Sequence, residues 1–192
     1  MKRSIWGILL LLTALSVVAC GGGNAENSEP IYDVVQAGSL TAGDPIPVPS
    51  GDIVITIEGK ISNPNVGETA QFDLETLESI GLVSYDVDDP FAKQQIVYTG
   101  VLMSELLDVV GADADATGLE LVASNDYSAE AKISDMREWP FLFGLQADGN
   151  AIPLDEGGPA IIIIPFDDYP DDLDHVTYDA QWVWSMTRIV VK

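Results

Sequence analysis

Apolar and polar positions along the chain fall into many short strand-like runs broken by a few helical ones. Ile53-Val54-Ile55-Thr56-Ile57 is β-branched and reads as a strand, and Gln71-Phe72 as the next. Asp73 is placed to N-cap a short helix, LETLESI, which Gly81 closes. Leu82 to Val87 is strand-like until Asp88-Asp89-Pro90 breaks it. From Ile96 the pattern predicts a strand and a tight turn at Tyr98-Thr99-Gly100. A helix comes next, with Val101, Leu102, Leu106, Val109 and Val110 at helical spacing and Gly111 as its stop. Leu119, Leu121 and Ala123 alternate as in a half-buried strand that delivers Asn125-Asp126-Tyr127 to its end. Further strands are expected over Ser128–Ile133, Phe141–Ala147, Ala160–Ile164 and Gln181–Val191. Ser134 is placed to cap a turn of helix running to Trp139, and Asp148-Gly149-Asn150 to form a hairpin. Short strands with two or three short helices predict a mixed α+β domain on a sheet or flattened barrel.

The first nineteen residues obey other rules. Lys2 and Arg3 precede an apolar run, Ile5 to Ala19, too short to span a bilayer comfortably and flanked like a signal peptide. It ends Val17-Val18-Ala19-Cys20, as bacterial lipoprotein signals do, so residues 1–19 are expected to be removed and the Cys20 thiol to carry lipid. Cys20 is the only cysteine of the chain. The expected location is the cell envelope, lipid-anchored and facing the periplasm. Gly21 lacks the acidic character that retains such proteins at the inner membrane, which favours the outer one. Residues 20–51, rich in Gly, Pro, Ser, Asn and acids, read as the lipidated cysteine and a flexible linker, reaching on the order of 30 Å. The domain proper is expected over 52–192.

Charge narrows the partners. Eight basic residues face 31 acidic ones, a formal net charge of −23, and loss of Lys2 and Arg3 makes the balance more negative still. Such a surface repels nucleic acid and anionic headgroups, so no nucleic-acid partner is expected. It also offers few cations to hold a phosphate. The plainest reading of the acidity is solubility in a salty habitat.

The segments "YTGVLMSELLDVVGA", "ASNDYSAEAKISD", "FLFGLQADGNAIPLDEGGPAIIIIPFDD" and "QWVWSMTRIVV" occur in that order. Together, over roughly Asp52 to Lys192, the chain resembles the oxidoreductase molybdopterin-binding domain, the fold of sulfite oxidase. The resemblance implies that α+β fold. Members that do molybdenum chemistry bind the metal through a cysteine thiolate, just before the turn that Tyr98-Thr99-Gly100 represents. Here that region reads Asp89-Pro90-Phe91-Ala92-Lys93-Gln94-Gln95-Ile96-Val97-Tyr98 and has no cysteine. A soft thiolate is not replaced by an amide or a phenol. The phosphate of the complete cofactor also needs Arg or Lys, and only Lys93 and Arg188 lie near candidate segments.

The layout is closer to a cysteine-less branch of the fold, periplasmic proteins that resemble pterin-binding sensors working with a membrane signalling partner. This resemblance implies a lipid-anchored, non-catalytic pterin-binding module, with no metal expected and molybdopterin less expected than a simpler pterin. The alternative is a molybdopterin-dependent oxidoreductase with an unusual metal ligand set.

A pterin presents an edge of donors and acceptors and a flat face. Asn125 or Asp126 suits the edge, and Tyr127, Phe91, Tyr98 and Trp184 offer planes for the face. Arg188 is placed to reach a carbonyl oxygen. As a strand, 181–191 would put Trp182, Trp184 and Met186 on one face. Core packing also accounts for the tryptophans, and a plain turn for Asn125-Asp126-Tyr127. Other motifs are weak. Asp113-Ala114-Asp115 lacks the distal Glu of a calcium loop. The acidic run Asp167 to Asp174 reads as a solvated loop. His175, the only histidine, cannot by itself make a zinc site or a triad.

Overall fold

The computed structural model describes residues 30–192. The expected signal peptide, Cys20 and the first residues of the expected linker, up to 29, lie outside the described residues. Among the described residues, eleven strands and four short helices succeed one another in this order. They are β1 (Asp33–Gln36), β2 (Ile55–Gly59), β3 (Ala70–Phe72), α1 (Leu74–Ile80), β4 (Leu82–Asp89), β5 (Gln94–Leu102), α2 (Met103–Val109) and β6 (Gly118–Ala123). Then come β7 (Ser128–Lys132), α3 (Ile133–Glu138), β8 (Leu142–Ala147), β9 (Asn150–Ala151), β10 (Ile161–Ile163), α4 (His175–Tyr178) and β11 (Met186–Val191). One sheet runs β1-β4-β5-β8-β10, with β9 folded back on β8; the other runs β3-β2-β11-β6-β7. All pairings are antiparallel except β11 with β2. The architecture is the mixed α+β class that the sequence predicts.

Several elements form for the local reasons legible in the chain. Asp73 caps α1 through its side chain, and Gly81 ends the helix at φ 119°, a value no L side chain adopts comfortably. Asp148 and Gly149 both have positive φ, 48° and 76°, as a two-residue hairpin turn requires between β8 and β9. The apolar stripe of α2 buries Met103, Leu106, Leu107 and Val109. These side chains join one continuous core with Ile55, Phe72, Leu121, Phe143 and Ile162.

Several expectations differ from the fold. Thr99 and Gly100 do not make a turn; β5 runs through them with a bulge against β8, and on through Val101 and Leu102, which the sequence pattern assigns to the helix, so that α2 begins only at Met103. Gly100 is needed because a Cβ there would sit 2.1 Å from the Phe143 carbonyl oxygen. The last strand begins at Met186, not Gln181: a 3₁₀ turn covers Asp179–Gln181, and Ser185 has φ 51°. Helix α3 starts one residue before Ser134, and the Ser134 hydroxyl bonds to Asp135 instead of capping.

Part of the segment read as linker is folded. Strand β1 pairs with β4 at the edge of the first sheet, and Leu40 and Ile46 are buried in the core. Composition hides this, because all four β1 residues are exposed and their pairing is with a strand far along the chain. Asp73 also fastens the incoming segment. One carboxylate oxygen accepts from Thr76 N–H (2.9 Å) and the Thr76 hydroxyl (2.6 Å). The other accepts from the Ser50 and Gly51 N–H groups, both at 2.8 Å. The Thr76 hydroxyl, then the Gly51 N–H, hold the Asp73 carboxyl well below the usual carboxylate range.

A carboxyl depressed in the folded state stabilises the fold above its unfolded value, about pH 4, and loses that contribution as pH falls. Asp73→Ala should lower the unfolding free energy by about 1–2 kcal/mol near neutral pH. Urea titrations at a series of pH values check this: the gap between the two proteins should narrow as pH drops below about 4.

Candidate functional site

Four segments meet at one end of the two sheets. They are the β4–β5 hairpin loop (Pro90–Lys93), the β6–β7 turn (Ser124–Tyr127), the stretch from Ile152 to Gly158, and Trp182–Ser185 before β11. Backbone bonds lock the last two together and stitch one sheet to the other. Ser185 N–H donates to Gly157 O, Ile162 N–H to Val183 O, and Met186 N–H to Ala160 O. Ser124 N–H in turn donates to Ser185 O.

The two tryptophans of this stretch part company. Trp182 is 1% exposed and packs among Phe166, Phe91 and Tyr98, with ring centroids 6.1, 5.8 and 6.2 Å away. Trp184 is 38% exposed. Its indole lies on Gly157, where a Cβ would come within 2.5 Å of Cδ1, so that glycine makes room for the ring. Phe91 stands edge-on to Trp184 with centroids 4.5 Å apart.

Trp184 borders two hollows. One, about 430 Å³, is lined by Ala123, Ser124, Asn125, Tyr127, Trp184 and Ser185. Its wall is held in shape locally: Tyr127 N–H donates to Asn125 Oδ1 (3.1 Å), and the Tyr127 hydroxyl to Ala180 O (2.9 Å). The other, about 300 Å³, has Phe91, Tyr98 and Trp184 as its aromatic lining and Asp89, Gln94 and Glu156 as its charged or amide groups.

Asp89 shapes the second hollow. Its Oδ1 accepts from the N–H groups of Phe91 (2.8 Å) and Ala92 (2.7 Å), which closes the hairpin loop as an Asx turn. Its Oδ2 accepts from the Tyr98 hydroxyl at 2.6 Å. Burial, then this bond to Asp89, raises the Tyr98 phenol well above its ordinary value. In the sequence Asp89 is legible only as part of a strand breaker; the signal for more is an Asp placed just before Pro and facing a Tyr across a hairpin.

The expected site residues therefore divide. Asn125, Tyr127 and Trp184 meet at the first hollow; Phe91, Tyr98 and Trp184 meet at the second. Asp126 sits at the exposed tip of the β6–β7 turn with φ 64° and lines neither. Arg188 lies on β11 and donates to Glu58 at 3.0 Å, away from both hollows. Residues that the sequence does not single out and the fold brings in are Asp89, Ser124, Glu156, Gly157 and Ser185.

A thiolate-bound metal does not fit this site. The chain's one cysteine is Cys20. Among the described residues, no group of three or more His, Cys, Asp or Glu is arranged to hold a metal ion. A phosphate tail would find little either, since Lys93 is the one basic residue of the β4–β5 hairpin. The groups present are aromatic planes, amide and hydroxyl edges, and carboxylates, which suit an organic ligand.

Removing the Tyr98 hydroxyl leaves a buried Asp89 oxygen short of its donor. Tyr98→Phe should lower the unfolding free energy by about 1–3 kcal/mol, measured by chemical denaturation.

No family model matches the chain, and no curated protein matches it. Among solved structures it is similar to the sulfane dehydrogenase SoxCD of Paracoccus pantotrophus, with a TM-score of 0.56 and 14% sequence identity. The match covers 71% of this chain and 37% of that one, so the chain corresponds to well under half of its neighbour's length. The likeness shows the fold: a sulfite-oxidase-like α+β domain with two sheets and few short helices.

Proposed function

We propose that this chain is a lipid-anchored, envelope-facing module of sulfite oxidase fold that binds a pterin without catalysing a reaction and reports to a membrane signalling partner. The lipid anchor rests on the Ala19-Cys20 junction, and the pterin on the fold and the site. One observation carries the ligand class. Trp184, 38% exposed, lines a hollow of about 430 Å³ together with Asn125, Ser124, Ser185 and Tyr127. That is a stacking plane beside paired donors and acceptors, the complement of a flat heterocycle with an aminopyrimidinone edge. The Asn125 amide and the two serine hydroxyls address the edge, and Tyr127 and Trp184 the faces. An uncharged, unphosphorylated pterin also suits a chain of net charge −23 better than a phosphorylated one.

The purified protein, titrated with a reduced or oxidised unphosphorylated pterin and monitored by pterin fluorescence, tests the assignment. Saturable binding should weaken at least tenfold in Trp184→Ala. Absence of saturable binding, or unchanged affinity in the variant, rules the reading out.

A further inference from the structure

The hollow on the Phe91 side of Trp184 has a different chemistry from its neighbour. Asp89 is 4% exposed, yet carries a carboxylate. Both oxygens accept hydrogen bonds, three in all, and every donor is neutral: two backbone N–H groups and a phenol. Among the described residues, no Lys, Arg or His lies within ion-pair distance of it. Lys93, on the same hairpin loop, is exposed and makes no ion pair there either. A buried anion without a counter-ion is costly, and is normally matched by a cation nearby.

The hollow beside it measures about 300 Å³. Besides Asp89, its polar lining is Gln94 and the exposed Glu156; the rest is aromatic or aliphatic, from Phe91, Tyr98 and Trp184 to Ile96, Ile152 and Ile161. Phe91 and Trp184 meet edge to face and are 45% and 38% exposed. Two partly exposed aromatic rings lining the same hollow as a carboxylate bring together the charge and the ring quadrupole that attract a cation.

We infer that this hollow is a second binding site, for a small quaternary ammonium group. Two features favour a quaternary amine over a metal ion or a primary amine. Carboxylates number only two, too few to coordinate a hard metal ion. The oxygens of Asp89 are already engaged, so they act on a ligand through charge more than through new hydrogen bonds. A quaternary nitrogen needs charge and apolar contact and has no N–H groups to satisfy. The site shares Trp184 with the pterin hollow but uses Asp89 and Phe91, which the pterin does not, so the inference goes beyond the pterin reading and stands apart from it.

Calorimetric titration of the purified protein with choline, and with its neutral isostere 3,3-dimethylbutan-1-ol, at one ionic strength provides the test. Choline should bind saturably and at least tenfold more tightly than the alcohol. Asp89→Asn and Phe91→Leu should each weaken choline binding at least tenfold. Phe91 is exposed, so its variant keeps the test sound if Asp89→Asn misfolds. Equal binding of the two compounds, no saturable binding of choline, or full affinity in Phe91→Leu overturns the inference. In the unmodified protein, absence of choline binding with pterin binding intact sinks this site alone, and absence of pterin binding with choline binding intact sinks the pterin reading alone.

Discussion

Trp182 is the side chain on which the end of the molecule carrying both hollows rests. It fills the space where the two sheets are stitched together, buried against Phe166, Tyr98 and Phe91. Its indole N–H finds no hydrogen-bond partner among the described residues. Leaving such a donor unpaired costs about 1–3 kcal/mol. Burying a side chain of this size offsets that cost, because large aromatics dominate core energetics. With Trp182 pinned inward and Ser185 turned into positive φ, the chain has one short stretch in which to place Trp184, and it projects outward over Gly157. The inward ring thus fixes where the outward one stands, and the outward one separates two hollows of different character.

The division of labour between the hollows comes from what each backbone segment can offer. The β6–β7 turn supplies amide and hydroxyl groups without charge at the wall: Asn125 and Ser124, with Tyr127 tied down to Ala180. The β4–β5 hairpin supplies an anion, because Asp89 is consumed in closing its own loop and cannot be withdrawn. One side therefore suits a neutral flat ring and the other a cation. Both fit a protein whose few basic residues are largely spent on surface pairs, such as Arg137 with Asp108 and Lys192 with Glu120 and Glu130.

Much of this fold is readable because the signals are local. Asp73 and Gly81 bracket α1, and Asp148-Gly149 turns β8 into β9, through chemistry contained in four or five residues. What escapes is non-local. Strand β1 has no buried side to betray it and exists only because β4 offers an edge. The tight turn expected at Gly100 is a bulged strand, since that glycine answers to the Phe143 carbonyl of another strand and not to a local bend. For the candidate site, the sequence singles out Asn125, Tyr127, Phe91, Tyr98 and Trp184, which the fold does bring to the two hollows. It could not show that Trp182 and Trp184 face opposite ways, since a continuous strand would have put them on one face. Nor could it show that Arg188 is drawn off by Glu58, 130 residues away, through the parallel pairing of β11 with β2.

The hollows beside Trp184 are proposed to serve organic ligands, a pterin in one of them, and no molybdenum centre. The most direct measurement is to purify the protein from its native cells without added cofactor, denature it, and identify what is released by mass spectrometry and elemental analysis. A pterin and no stoichiometric molybdenum should be released. Molybdenum at close to one atom per chain would contradict this proposal.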